Sequence, residues 1–404
     1  MLLVMFMKVE ILRFDDFGRG ICYVDDKVTF VPFSIPGDVL EIEITKEKKN
    51  YNEGKIVKII KPSKNRVVPP CPYFGGCGGC SYQMLRYDEN LLEKQNNVIN
   101  YFKKNGLLIN PSIIKNDRPY NYRNKITLKI VNRKIGYFKN NSHEIVEINK
   151  CLLAENKINE VIKLIPSLNI INGEVIIRSS YKDEVLIIIS TNDNVEISKI
   201  KDIKNLKGII LNNKTIYKDN YFIEEVNDIK YNVAYDAFFQ VNRLVCAKMF
   251  KLAQDFVNEG DIVLDLYSGV GTLSLSAARK AKEVVGVEIN KNAVDNANSN
   301  AKLNNLTNAL FIYSDAGDIK NLDINFNKLI VDPPRAGLSE DTINFINKRL
   351  PEEIMYISCD YHTQVRDLKL LDDYEIIDSY VCDLFSYTYH VECVSVLHRK
   401  SLEK

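Results

Sequence analysis

The stretch Val263-Leu-Asp-Leu-Tyr-Ser-Gly-Val-Gly271 reads as a strand, an acidic residue and a glycine turn that opens a helix at Thr272. A lone Gly-x-Gly marks any tight turn between strand and helix; the rest of the chain gives it weight. Strands are predicted at Glu283–Val287, Ala309–Tyr313, Lys328–Val331 and Ile354–Ile357, alternating with helices at Thr272–Ala281, Lys291–Asn304 and Ser339–Leu350. That rhythm predicts a doubly wound α/β sheet, a fold that binds ligands beyond the C-terminal ends of its strands. A helix over Val241–Glu259 precedes it, and Glu375–Cys382 with Glu392–His398 is expected as an antiparallel hairpin added to the sheet. Glu288 ends the second strand, placed to hydrogen-bond ribose hydroxyls, and Asp315 ends the third, near where an adenine would lie. Ser274 stands where a pyrophosphate-binding motif needs its third glycine, which weighs against a dinucleotide-dependent dehydrogenase.

Together these features resemble the class I S-adenosylmethionine-dependent methyltransferases. At the tip of the fifth strand, Ile354-Met-Tyr-Ile-Ser-Cys-Asp360 carries Cys359. Alone, such a cysteine is most simply a small packed thiol. Beside a methyl donor it has a chemical use. Uracil C5 is a poor nucleophile, but a thiolate adding at C6 makes an enolate and so activates C5 to take a methyl group. A base must then remove the C5 proton so that the thiol can leave; Asp383-Leu-Phe-Ser-Tyr-Thr-Tyr-His-Val-Glu392 offers Glu392 and His390. Val331-Asp-Pro-Pro-Arg-Ala-Gly337 holds Asp332 at the sheet edge, its two prolines fixing the backbone. Amino-group methyltransferases place an aromatic after such a Pro-Pro turn; Arg335 stands there instead, which argues against amino methylation.

The N-terminal half reads differently. Residues 8 to about 60 carry five short alternating runs separated by turn signals, among them Gly18-Arg-Gly20, Asp25-Asp26 and Pro36-Gly-Asp38, which predicts an OB-like β-barrel. Phe17-Gly-Arg-Gly-Ile21 with Val31-Pro-Phe-Ser-Ile-Pro-Gly37 resembles the TRAM domain of RNA-modifying enzymes. Net charge is only +1, yet Lys46, Lys48, Lys49, Lys55, Lys58, Lys61, Lys64 and Arg66 cluster against Glu47 and Glu53, either a phosphate-contacting face or a solvated strand face. Cys71-Pro-Tyr-Phe-Gly-Gly-Cys77-Gly-Gly-Cys80 follows, with Cys151 the next cysteine along. Structural zinc is one reading; a lone triplet plus one distant cysteine tilts toward an iron–sulfur cluster, which takes four thiolates. The spacing is not the C-x3-C-x2-C of a cluster that itself cleaves S-adenosylmethionine, so a structural role is expected. A helix is predicted over 87–106 with Leu91, Leu92, Gln95, Val98, Ile99 and Phe102 on one face, and strands dominate from about 120 to 235. Nine cysteines without a recognisable secretory segment point to a reducing cytoplasm, and no apolar run is long enough for a membrane helix.

Over essentially its whole length the chain resembles the RNA uracil-C5 methyltransferases, in particular the 23S ribosomal RNA enzymes with a TRAM domain and a [4Fe–4S] cluster. The motifs are the four cysteines above, Tyr122-Arg-Asn-Lys125, Ser142-His-Glu-Ile-Val146, Phe238-Phe-Gln-Val-Asn242, Asp265 to Gly271, Asp332 to Gly337, Ser358-Cys359 and His390-Val-Glu392. The resemblance implies Cys359 as nucleophile, Glu392 as base and Asp332 near the uracil. It implies Gln240, Tyr267, Gly269, Gly271, Glu288, Asp315 and Asp332 as S-adenosylmethionine contacts, and Cys71, Cys77, Cys80 and Cys151 as cluster ligands. Three units are therefore expected: a TRAM barrel over 1–62, a β-rich iron–sulfur domain over 63–235 whose helix 87–106 packs on the catalytic domain, and a methyltransferase domain over 236–404. The expected partner is RNA, 23S ribosomal RNA first, with a uridine flipped out of its stack to reach a monomeric enzyme.

Two departures stand out. The family's Cys-Asn-Pro is here Cys359-Asp-Tyr361, and its Phe-Pro before the base motif is Phe385-Ser386. Asp360 beside the thiol is expected to raise its pKa. The departures at Cys359 keep open a catalytically silent RNA-binding or ribosome-assembly protein; a second alternative keeps the chemistry as a transfer RNA uridine C5 methyltransferase, against which the TRAM and cluster modules weigh.

Overall fold

A computed structural model describes residues 6–316 and 324–401; most of the apolar start, Met1 to Met5, lies outside them. The N-terminal unit is a six-stranded barrel-like sheet: Phe6–Glu10, Arg13–Phe14, Gly20–Val24, Lys27–Val31, Val39–Glu47 and Tyr51–Lys61. Alternation places Val9, Ile11, Cys22, Val24, Val31, Leu40 and Ile42 in its core. The extra strand beyond the five expected is the two-residue Arg13–Phe14, too short for periodicity to reveal. The basic cluster is less free than its sequence suggests. Arg66 is half-buried against Asp38 at 2.6 Å, and Lys46 and Lys55 pair with Glu53 and Glu43. Lys48, Lys49, Lys58, Lys61 and Lys64 keep exposed positions.

A seven-stranded sheet forms the centre, with Lys125–Val131, Gly173–Ser179, Val185–Thr191 and Leu206–Leu211 as its middle strands. Its outer strands Lys134–Phe138, Ile145–Glu147 and Lys214–Lys218 were not anticipated: all are short, and the first and last begin on lysine. The signal that could have found two of them lies in their turns. Asn132-Arg133 and Asn212-Asn213 both take positive φ at each residue, the left-handed pair that two-residue hairpins require. Asn227-Asp228 does the same between Tyr221–Val226 and Ile229–Ala234.

The C-terminal sheet has eight strands. In spatial order they are Ala309–Tyr313, Glu283–Glu288, Ile262–Leu266, Lys328–Val331, Glu353–Ser358, Glu392–Arg399, Tyr374–Cys382 and Ser112–Ile114. The first five are parallel, and Glu392–Arg399 inserts antiparallel beside Glu353–Ser358. Strand order reverses between the parallel neighbours Ile262–Leu266 and Lys328–Val331, which opens the ligand crevice of such sheets. The division at residue 235 is not where the core divides. Phe222, Val226, Ile229, Tyr231 and Val233 pack with helix Arg243–Phe256 and strand residues Val263 and Val284. Helix Tyr87–Lys104 buries Val98 and Phe102 on the other face of the sheet, and Ser112–Ile114 extends its edge.

That helix presents a face rotated from the expected one. Leu92 is exposed, whereas Lys94 is buried and bonds Asp383 at 2.6 Å; Tyr87 and Ser386 also donate to Asp383. The buried carboxylate demands a cation, and that overrides the apolar pattern. Lys94→Met leaves Asp383 uncompensated, so we expect a loss of about 3–5 kcal/mol of stability in denaturant unfolding. An unchanged midpoint would contradict this.

Candidate active site

The turn after Ile262–Leu266 is built for close approach. Tyr267, Gly269 and Gly271 take φ of 67°, 53° and 87°. A Cβ on Gly271 would stand 2.8 Å from the Phe311 ring, while one on Gly269 would meet no protein atom within 4 Å. Gly271 serves packing; Gly269 faces open space. Tyr267 is a bulky residue in the left-handed region, a strain that clusters at ligand sites. Its hydroxyl lies 3.2 Å from that of Thr342. Glu288 accepts the Gly269 N–H at 3.0 Å and that of Asn290 at 2.8 Å. A groove of about 790 Å³ runs between Tyr267, Asp315 and the turn from Pro334 to Glu340. Gln240 lies outside its lining, and its backbone carbonyl accepts from the Asn124 side chain. Beneath the turn, Oδ1 of Asp265 and the Ser268 hydroxyl are buried without hydrogen-bond partners, and burial pushes Asp265 up to about 7. An open glycine turn, a carboxylate at the second strand and orphaned buried polar atoms fit an adenosyl cofactor.

Three strand tips converge beside the groove. Ser358 pairs with Cys393, so continuing that antiparallel register by one step sets Glu392 opposite Cys359. Asp332 follows Val331 on the adjacent parallel strand. Burial raises Glu392 well above the usual carboxylate range, and Asp332 beside it raises it further. Burial pushes Asp332 up to about 7. Such a pair cannot readily hold two charges, so it retains a proton near neutral pH. Burial, Glu392 and Asp332 raise the Cys359 thiol, while Arg335, close enough for a hydrogen bond, opposes them. Arg335 also lies 3.5 Å from Nδ1 of His390. Burial and that cation lower His390 to about 4, so its imidazole is the weaker proton acceptor and Glu392 the stronger. Arg335 as thiol partner was missed in the sequence. Its position after a Pro-Pro turn, just beyond the strand next to the cysteine's, was the available signal.

Asp360 behaves otherwise than expected. It is the N-cap of an unanticipated helix, Tyr361–Leu368, accepting from the His362 N–H at 2.9 Å, and it is not among the main causes of the raised Cys359 thiol. Asp and Asn cap helices about equally well, and Pro is favoured at the first helical position that Tyr361 fills. The Asp-Tyr pair thus meets the local demand that Asn-Pro would. His362 is held by Asp360 at 2.9 Å and by Asp16 of the barrel at 3.3 Å. The bond to Asp16 lowers that carboxyl and raises His362. His362 therefore contributes fully below about pH 6.5, and its contribution fades as pH rises through its raised pKa. Asp16's contribution fades as pH falls through its lowered pKa. We expect proteolysis between barrel and catalytic sheet to accelerate above neutrality, and His362→Ala to remove that pH dependence. Equal cleavage at all pH values would count against the bridge.

Of nine cysteines, Cys22, Cys246, Cys382 and Cys393 are buried. Cys71, Cys77, Cys80 and Cys151 line one cavity with Tyr73, Arg123 and Tyr137. Cys359 is left as the half-exposed thiol outside that cavity. Burial pushes Cys77 up to about 11 and Cys80 up to about 12, and Gln83 donates to the Cys80 sulfur at 3.1 Å. Among the described residues, no three His, Cys, Asp or Glu side chains group as ligands of a single metal ion. The cavity abuts the loop that leads to Glu392: the Tyr387 carbonyl accepts the N–H groups of Ser81 and Tyr82 at 2.9 and 3.1 Å.

A doubly wound sheet with this turn and groove, joined to a small β-barrel, defines an S-adenosylmethionine-dependent methyltransferase that modifies RNA. The tRNA (uracil-5-)-methyltransferase profile matches residues 86–400 and the TRAM domain profile residues 6–57. The chain belongs to this RNA uracil-C5 methyltransferase family. It is 32% identical to an RNA methyltransferase of Clostridium acetobutylicum over 97% of this chain and 96% of the relative. It is 30% identical to one of Halalkalibacterium halodurans, over 95% of each. The solved structure of a Pyrococcus abyssi tRNA (uracil-54, C5)-methyltransferase in complex with S-adenosyl-L-homocysteine superimposes with a TM-score of 0.82 at 26% identity. It covers 97% of this chain and 99% of that one.

Proposed function

We propose that this protein methylates C5 of a uridine in RNA through a covalent intermediate on Cys359. The observation that carries the reading is the convergence of Cys359, Glu392, Asp332 and Arg335 at adjacent strand tips beside the groove. Arg335 favours the thiolate, which adds to uracil C6. The one proton of the pair, resting on Asp332, can hydrogen-bond the enolate oxygen that forms and leaves the Glu392 carboxylate ionised. C5 then takes the methyl group, the ionised carboxylate of Glu392 removes the C5 proton, and the C6–S bond breaks, releasing the thiolate. Tyr267, Glu288 and Asp315 would hold the adenosyl cofactor, which would supply the methyl group. A mass shift of the protein on incubation with 5-fluorouridine RNA and S-adenosylmethionine tests the reading. The absence of a covalent adduct would favour the silent RNA-binding alternative.

For the substrate we favour 23S ribosomal RNA, on the combination of barrel and four-cysteine cavity. Transfer RNA is the second reading, because the Pyrococcus abyssi relative, named for uracil 54 of tRNA, matches the whole chain including the barrel. Methylation of both RNAs in vitro, followed by mapping of 5-methyluridine, separates them. We further propose that the enzyme works as a cytoplasmic monomer and that Cys71, Cys77, Cys80 and Cys151 hold a [4Fe–4S] cluster with a structural role. Zinc needs its sulfurs within about 2.3 Å of one point; four thiols around a cavity suit the larger cluster. Protein purified without oxygen is expected to be brown and to contain iron, and Cys80→Ser to lose both. Stoichiometric zinc in place of iron would refute the cluster.

A further inference from the structure

We infer that Phe17 of the barrel, braced edge to face by Tyr389 of the catalytic sheet, forms a stacking shelf for a nucleobase flanking the target uridine; this rests on the reading above. Phe17 is 58% exposed, although it lies at a junction between two domains. Its ring meets Tyr389 edge to face at 5.7 Å and 77°. Tyr389 in turn lies 4.2 Å from His390, which contacts Arg335, the partner of Cys359. The shelf therefore stands a few side chains from the nucleophile, at the seam where the barrel meets the site.

The loop that carries Phe17 is fixed before any ligand arrives. Asp15 accepts the N–H groups of Phe17 and Arg19 at 3.0 and 2.7 Å and the Arg19 side chain at 2.7 Å. Gly18, at φ 77°, rests on the Tyr82 ring, where a Cβ would come within 2.9 Å. Asp16 is tied to His362, on the helix that follows Cys359. An apolar ring held rigidly in water at a domain seam has a use when a flat apolar partner arrives. A uridine that leaves its stack exposes the face of its neighbour, and bases stack on aromatic rings with little regard to sequence. Arg19, ion-paired with Asp15 at 2.7 Å, packs over Phe30 and Phe17 and so braces the same loop. The occupant is thus a single-stranded RNA base, not a peptide or a lipid.

The chain has no tryptophan, so Phe17→Trp installs one reporter. Its emission is expected to be quenched by mixed-sequence single-stranded RNA, at concentrations where anisotropy of the labelled RNA registers binding. Bound RNA with unchanged emission would overturn the shelf. Phe17→Ala is expected to weaken RNA binding about tenfold or more, with its melting temperature kept; unchanged affinity would also overturn it. The two readings fail separately. Quenching without 5-methyluridine formation refutes methylation and leaves the shelf, whereas methylation without quenching refutes the shelf alone.

Discussion

Cys359→Ala is expected to abolish covalent capture of 5-fluorouridine RNA and to lower methyl transfer by about 10⁴-fold or more, the scale on which removing a nucleophile acts. The half-exposed thiol ends its strand and carries little packing, so folding and RNA binding should persist. Cys393→Ala is the control. That thiol is buried one residue beyond Glu392, where burial raises its pKa well above the ordinary thiol range, so it is inert. An adduct that survives in Cys359→Ala, or vanishes in Cys393→Ala with the fold intact, would remove Cys359 from the mechanism. In the wild type, adduct formation should quicken as pH rises from 7 to 8, because the thiol is raised and only its ionised fraction attacks.

Glu392→Gln is expected to block the last step and spare the first. The thiolate still adds and the methyl group still moves, but the C5 proton has no acceptor. Ordinary uridine RNA should then remain attached to the protein through a denaturing gel, while steady-state turnover falls about 10²–10⁴-fold. Asp332→Asn distinguishes the members of the pair: trapped RNA in that variant alone would make Asp332 the base. The same buried carboxyls bear on stability. Asp332 and Glu392 have pKa values raised in the folded state, so each contributes most below its unfolded pKa, and that contribution is lost as pH rises through the raised value. Glu392→Gln should therefore melt higher than the wild type above neutral pH, trading function for stability.

The legible part of this protein was local. Strands buried on both faces, such as Lys328–Val331, announce themselves as continuous apolar runs. The glycine turn needs left-handed backbone at fixed positions, so residue type betrays it. The illegible part was relational. Lys94 stands off the apolar face read from the sequence and is buried, because the carboxylate it pairs with lies 289 positions away. Asp360 looked like a threat to the thiol and is a helix cap, because its side chain turns to the N–H groups after it.

By itself the sequence determined the class of the N-terminal barrel and of the C-terminal sheet, the cofactor-type turn and the cysteines set apart by spacing, since periodicity, glycine placement and motif spacing are properties of neighbours in the chain. Tertiary structure alone decided that Glu392 faces Cys359, that Arg335 reaches the same thiol, that four cysteines share one cavity and that the barrel loop of Phe17 leans on the catalytic sheet. Each of those is a contact between segments far apart in sequence. Register, burial and the pairing of buried charges fix such contacts, and they exist only once the chain has packed.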